Sequence, residues 1–72
     1  MSDKNVSELL NIVNAGAGVT MEAIHFTFDD IMPVAEACAK AGVPLYVHGA
    51  MGWRTRDLIA IAKTGKGQVV FT

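Results

Sequence analysis

Residues 29–47 read DDIMPVAEACAKAGVPLYV. Two acids precede Ile31, Val34, Ala35 and Cys38, and a glycine at 42 is followed by a β-prone run. The spacing i, i+3, i+4, i+7 lays those four apolar residues along one stripe of a helix. Acids in a first turn suit the positive end of the helix dipole. Gly42 can close the helix in the left-handed conformation at little steric cost. Leu45, Tyr46 and Val47 then favour extended backbone. The stretch therefore predicts a helix followed by a strand.

The pattern occurs twice more, in SELLNIVNAGAGVTM (7–21) and RDLIAIAKTGKGQVVF (56–71). Glu8, Asp30 and Asp57 are the corresponding acids. The other two stripes are Leu9, Ile12, Val13 and Leu58, Ile61, Ala62. The turn glycines are Gly16 and Gly18 before the first strand, and Gly65 and Gly67 before the last. Ser7, Thr27 and Thr55 are candidate N-caps, and TFDD (27–30) has the form of a capping box with Asp in place of Glu. Pro33 is tolerated best in a first turn, which sets the start of the second helix at Phe28 or Asp29. The runs VTMEAIHF (19–26), PLYVHG (44–49) and QVVFT (68–72) are the expected strands.

Strands joined by helices of this length pair in parallel through right-handed crossovers. The expected fold is α/β: a two-layer (αβ)3 repeat, with a three-stranded, mostly parallel sheet and helices mainly on one face. It forms a single domain over 1–72, with repeat units at about 7–26, 27–52 and 53–72. The competing arrangement is doubly wound, with one helix on the other face.

A chain of 72 residues has little interior, yet 51% of it is hydrophobic and 18% charged. Small domains bury a modest fraction of their surface, so some apolar surface is left for a partner. A second copy is the simplest, and a dimer the simplest assembly; another protein is the alternative. Ile24, Phe26, Tyr46, Trp53 and Phe71 are the candidate interface residues. Leu10, Met32 and Ile59 share one position in each repeat, beside the core stripe, and pack helix to helix or form a seam to a partner.

The net charge of −1 gives no field for nucleic acid. The one cysteine, Cys38, allows no intrachain disulfide. On the core stripe it reads as a buried, inert thiol rather than a nucleophile. MSDKNVSELL is too polar for a secretory leader, and no apolar run approaches the roughly eighteen residues of a membrane span. The expected location is cytoplasmic.

Residues 46–57, YVHGAMGWRTRD, run from the second strand into the third helix. Open parallel sheets bind ligands at this end, and helix N-termini favour anions. His48, Gly49, Gly52, Arg54, Thr55 and Arg56 are the candidate ligand residues, for a phosphate or other anion. Fifteen positions separate Gly42 from Asp57, against twelve from Gly18 to Asp30, which reads as a loop insertion. Neither the dinucleotide fingerprint nor the P-loop pattern is present. TGKGQ (64–68) lies between helix and strand, where it is a helix C-cap beside Lys63 and Lys66. His25 or His48 with Asp29 or Asp30 would make an acid–base pair, but a metal would need a third ligand. No metal and no cofactor is expected. The sequence reads as a small, non-enzymatic, self-associating interaction module, with anion or small-ligand binding as the second reading.

Overall fold

The computed structural model describes residues 5–72. The chain runs α1 (Val6–Asn14), β1 (Val19–Glu22), α2 (Phe28–Ala41), β2 (Leu45–His48), α3 (Thr55–Gly65), β3 (Val69–Phe71). The strands form one sheet in the order β1-β2-β3, and both pairs are parallel. Val19 sits beside Leu45, and Leu45 beside Val69. Each crossover moves one strand over in the same direction, so right-handed connections put α2 and α3 on one face, and α1 packs beside α2. The burial pattern agrees: Val19, Met21, Leu45 and Val47 are buried, and the strand residues between them are exposed. The chain is a two-layer α/β repeat, and the doubly wound alternative falls. Residues 1–4 of the expected domain lie outside the described residues.

The helix starts follow one spacing rule. Asn5 caps α1: its Oδ1 accepts the Glu8 N–H at 2.9 Å, and Glu8 Oε1 accepts the Asn5 N–H at 3.2 Å. Thr27 and Asp30 build the same box on α2, at 3.2 and 3.0 Å. The acid is the third helical residue each time, so the cap lies three positions before it. This displaces Ser7, which falls inside α1, and Thr55, which is the first residue of α3. The position equivalent to Asn5 and Thr27 in α3 is Arg54, which makes no side-chain cap bond.

α2 begins at Phe28, as the proline required, and runs through Pro33 to Ala41. Pro33 is still the sixth helical residue and has no N–H to give the Asp29 carbonyl. Replacing exposed Pro33 with Ala is expected to stabilise the fold by about 1–3 kcal/mol. A denaturant midpoint that stays put or falls would count against this.

Met21, Ile31, Val34, Cys38, Leu45, Val47 and Ile61 are fully buried between the layers. The stripe expected on α3 needs one correction. Ala62 is exposed and Gly65 is buried, because α3 is still helical at Gly65 and the left-handed turn falls on Lys66 (φ 50°) and Gly67 (φ 89°). A Cβ on Gly65 would overlap the Val69 side chain and lie 3.8 Å from Ala35 Cβ. The glycine lets β3 cross closely beneath its own helix. Gly42 does end α2 in the left-handed conformation, with φ 71°.

β1 is also shorter than its sequence allows. Glu22 pairs with His48, the last residue of β2, and Ala23 N–H closes the ladder on the His48 carbonyl at 2.8 Å. Beyond this point β2 offers no partner backbone. Residues 23–25 turn instead, with His25 N–H bonded to the Glu22 carbonyl at 2.9 Å. Ile24 and Phe26 are therefore loop residues, not strand residues.

Cys38 lies in the core with Sγ 4.0 Å from the Pro44 carbonyl oxygen. Burial pushes its thiol pKa up, which disfavours the reactive thiolate. A thiol-specific disulfide reagent is expected to leave the folded chain untouched and to titrate one thiol after denaturation. Fast labelling of the native protein would show that the core opens there.

Candidate functional site

The helices leave the second sheet face bare. Its side chains form two rows across the strands. Thr20, Tyr46 and Val70 are in register in the first; Glu22 and His48 are in register in the second, which Thr72 extends. Thr72 continues the ladder past β3: its N–H donates to the Val47 carbonyl at 2.9 Å, and its own carbonyl accepts the Gly49 N–H at 3.0 Å. His48 Nδ1 lies 3.1 Å from Thr72 Oγ1. Tyr46 is 41% exposed and Val70 42%, so an aromatic ring and an isopropyl group stand side by side in water.

Of the expected interface residues, Tyr46 alone lies on this face. Phe26, Trp53 and Phe71 are half-buried against the core on the helix side. Phe71 alternates with Val70, and strand alternation sends it under α3. Ile24 is 85% exposed, but on the turn after β1. Val70 was missed although the period-two pattern contains it. Choosing the bare face needed the hand of the crossovers.

The acid–base pairs that the sequence left open are not among the hydrogen bonds of the described residues. Asp30 is held by its own helix cap, His48 is turned to Thr72, and His25 is exposed on the turn after β1. The row Glu22–His48–Thr72 has the order of an acid, a base and a hydroxyl. However, it lies on an exposed surface, and no hydrogen bond joins Glu22 to His48 among the described residues. Nucleophilic catalysis needs that orienting bond and donors for a developing oxyanion. Among the described residues, no three His, Cys, Asp or Glu side chains cluster as a metal site. No helix among them is long and apolar enough to cross a membrane.

The second candidate region lies at the C-terminal ends of the strands. The loops there, residues 23–27 and 49–54, differ by one residue, not three. The extra length counted in the sequence belongs to the turn after α1, where Gly16 (φ 101°) is the true counterpart of Gly42. In the loop before α3, Gly49 has φ 81°, which favours glycine. Ala50 is fully buried, and Trp53 N–H bonds its carbonyl at 2.9 Å, closing a turn. A shallow cleft of about 300 Å³, wide open to solvent, lies between the starts of α2 and α3, lined by Phe28, Gly52, Trp53, Arg54 and Asp57. Phe28 and Trp53 are half-buried, each packed against the core. Arg56 Nε is 3.9 Å from Asp57 Oδ1 across an exposed surface, where such pairs contribute little.

The cleft takes Gly52 and Arg54 from the expected ligand set. His48 is on the bare face, Gly49 serves the backbone, and Thr55 and Arg56 do not line the cleft. Phe28 and Asp57 are new members. The chain matches no family model, no curated protein and no solved structure.

Proposed function

We propose that this chain is a non-enzymatic, self-associating α/β module in which a second copy covers the bare sheet face. The observation that supports it best is a wholly parallel sheet with helices on one side. Parallel sheets are found almost always with both faces covered. This chain supplies one cover, and its twin supplies the other.

Size favours the same arrangement. The molecule measures 31 × 25 × 18 Å. The short dimension fits two stacked layers, so the sheet face is one of the broad sides. The three short strands fill only part of that side, so the loops around them would add to the ~800 Å² that each partner gives to a standard stable interface. Stacking the faces about a two-fold axis would bring Thr20, Tyr46 and Val70 of one copy onto the other sheet, with the sheets about 10 Å apart. A net charge of −1 per chain offers little repulsion. The buried Cys38 and the exposed row of His48 and Thr72 support a binding rather than a catalytic role.

The test is the solution mass, by light scattering behind size exclusion over a concentration series. A species of twice 7.6 kDa is expected. A mass that stays monomeric up to about millimolar concentration, where an interface of this size would have formed, sinks the proposal.

A further inference from the structure

The third repeat unit is less well covered than the second. Asp57 matches Asp30, so Leu58, Ile61 and Ala62 of α3 match Ile31, Val34 and Ala35 of α2. All three residues on α2 are fully buried, whereas on α3 Leu58 is half-buried and Ala62 exposed. The strands differ in the same way. Leu45 and Val47 of β2 are buried, as are Val19 and Met21 of β1, but Val69 and Phe71 of β3 are only half-buried. Ala35 is covered by α3, where a Cβ on Gly65 would lie 3.8 Å from its own. By the same repeat Ala62 faces the place of a next helix, and nothing among the described residues fills it. The core is left open on one side, beside β3.

The backbone there makes an independent case. β3 is an edge of the sheet. The Gln68 carbonyl accepts from Leu45 N–H, and Thr72 bonds both Val47 and Gly49, so the even-numbered residues of this strand face β2. Alternation turns the N–H and C=O groups of Val69 and Phe71 outward, where no strand among the described residues pairs with them. Edge strands are commonly protected by charge or proline, and QVVFT has neither. The other edge differs. Glu22 stands on β1, and the apolar side chains of β1 are already covered.

We propose that β3 pairs antiparallel with β3 of a second copy about a two-fold axis normal to the sheet, joining two sheets into one. The edge is self-complementary. With Val70 opposite its own copy on the axis, Val69 of each strand stands opposite Phe71 of the other. Each such pair exchanges both of its N–H···O bonds, so every outward group of both edges is satisfied. A parallel join to β1 of another copy would leave a free β3 at the end of every row of copies, whereas the two-fold join closes. An axis normal to the sheet keeps both helix layers on one side, so the exposed Ala62 and half-buried Leu58 of α3 face their own copies. Neither position carries a charge that would repel its twin. The edge is a different surface from the bare face, and its pairing does not require that face. Its short ladder makes it the smaller contact, so it joins face-paired dimers at concentrations above those that form them.

Val70→Cys reads the edge directly. Opposed residues at a non-hydrogen-bonded antiparallel position lie about 4.5 Å apart between Cα atoms, inside the range a disulfide spans. Two stacked sheet faces, about 10 Å apart, lie outside it. Val70→Cys and Thr20→Cys, which lies in the same row on the other edge strand, are oxidised with diamide under equal conditions. The unsubstituted chain, with Cys38 buried, is the blank. Val70→Cys is expected to give a covalent dimer at least about tenfold faster than Thr20→Cys, because pairing replaces chance encounter with a fixed neighbour. Adding Ala62→Glu, at an exposed position where the circular dichroism should not change, is expected to bring the rate down to that of Thr20→Cys. Adding Tyr46→Glu instead should leave Val70→Cys ahead, which separates the edge from the sheet face. Equal rates for Val70→Cys and Thr20→Cys overturn the inference. So does cross-linking of Val70→Cys that Ala62→Glu leaves fast, or that Tyr46→Glu abolishes.

Discussion

Gly65→Ala is expected to lower the melting temperature by roughly 10–20 °C, from an overpacking cost of about 2–3 kcal/mol. Helix propensity alone gives the opposite sign: alanine is better than glycine inside a helix by about 1 kcal/mol, and Gly65 is helical. The reversal comes from the junction above it. The added methyl would overlap the Val69 side chain on β3 and touch Ala35 on α2. Val69 is a β-branched residue with little rotamer freedom, on a strand fixed to β2 by its ladder. Relief must come from moving α3 off the sheet. A fold of this size has ~4–11 kcal/mol in total at about 0.05–0.15 kcal/mol per residue, so the loss is a large share. Val69→Ala removes the obstacle, and the double variant should recover part of the loss as a coupling energy above about 0.5 kcal/mol. A melting temperature that rises in Gly65→Ala would show that α3 and β3 are farther apart than described.

Gly65 also shows where the sequence stops being legible. A glycine near the end of a helical pattern is the usual sign of a left-handed cap, and at Gly42 that reading holds. At Gly65 the same local signal marks a close approach, and the cap moves to Lys66. What decides between the two is the path of β3 across the turn, a tertiary fact. The strand ends behave likewise. VTMEAIHF is β-prone to its last residue, but β1 stops where β2 runs out of backbone to pair with. Periodicity within each unit was readable: the stripes of α1 and α2, the box at Thr27, the start at Phe28 and the buried Cys38 all follow from spacing. Thr55 was misread as a cap because a hydroxyl stood close to the helix start, whereas the acid three residues after the cap fixes the position. The cleft was half legible. Trp53, Arg54 and Gly52 adjoin in sequence, but Phe28 reaches them only because α2 and α3 lie side by side. No local pattern joins residues 28 and 53.

Tyr46→Glu is expected to turn the proposed dimer into a monomer while leaving the fold of each copy intact. Tyr46 is central on β2, flanked by Thr20 and Val70, with its side chain away from the helices. In the monomer, glutamate there stays in water, at a cost in strand propensity below about 1 kcal/mol. In the proposed dimer the same carboxylate would be buried against the opposing sheet. Two-fold symmetry places the substitution in the interface twice. A central aromatic anchor is worth about 2 kcal/mol or more, so the pair of changes should cost at least ~4 kcal/mol, about a thousandfold in dissociation constant. Val70→Lys should act in the same direction from the adjoining strand. Ile59→Glu is the control, because Ile59 is 48% exposed on α3, in the helix layer. Were the seam to lie along the helices, Ile59→Glu would dissociate the assembly and Tyr46→Glu would not. If the bare face is the interface, the two results exchange places. A dimer of Tyr46→Glu whose dissociation constant stays within about tenfold of the unsubstituted chain's would remove the sheet face from consideration however well its shape and pattern suit the role.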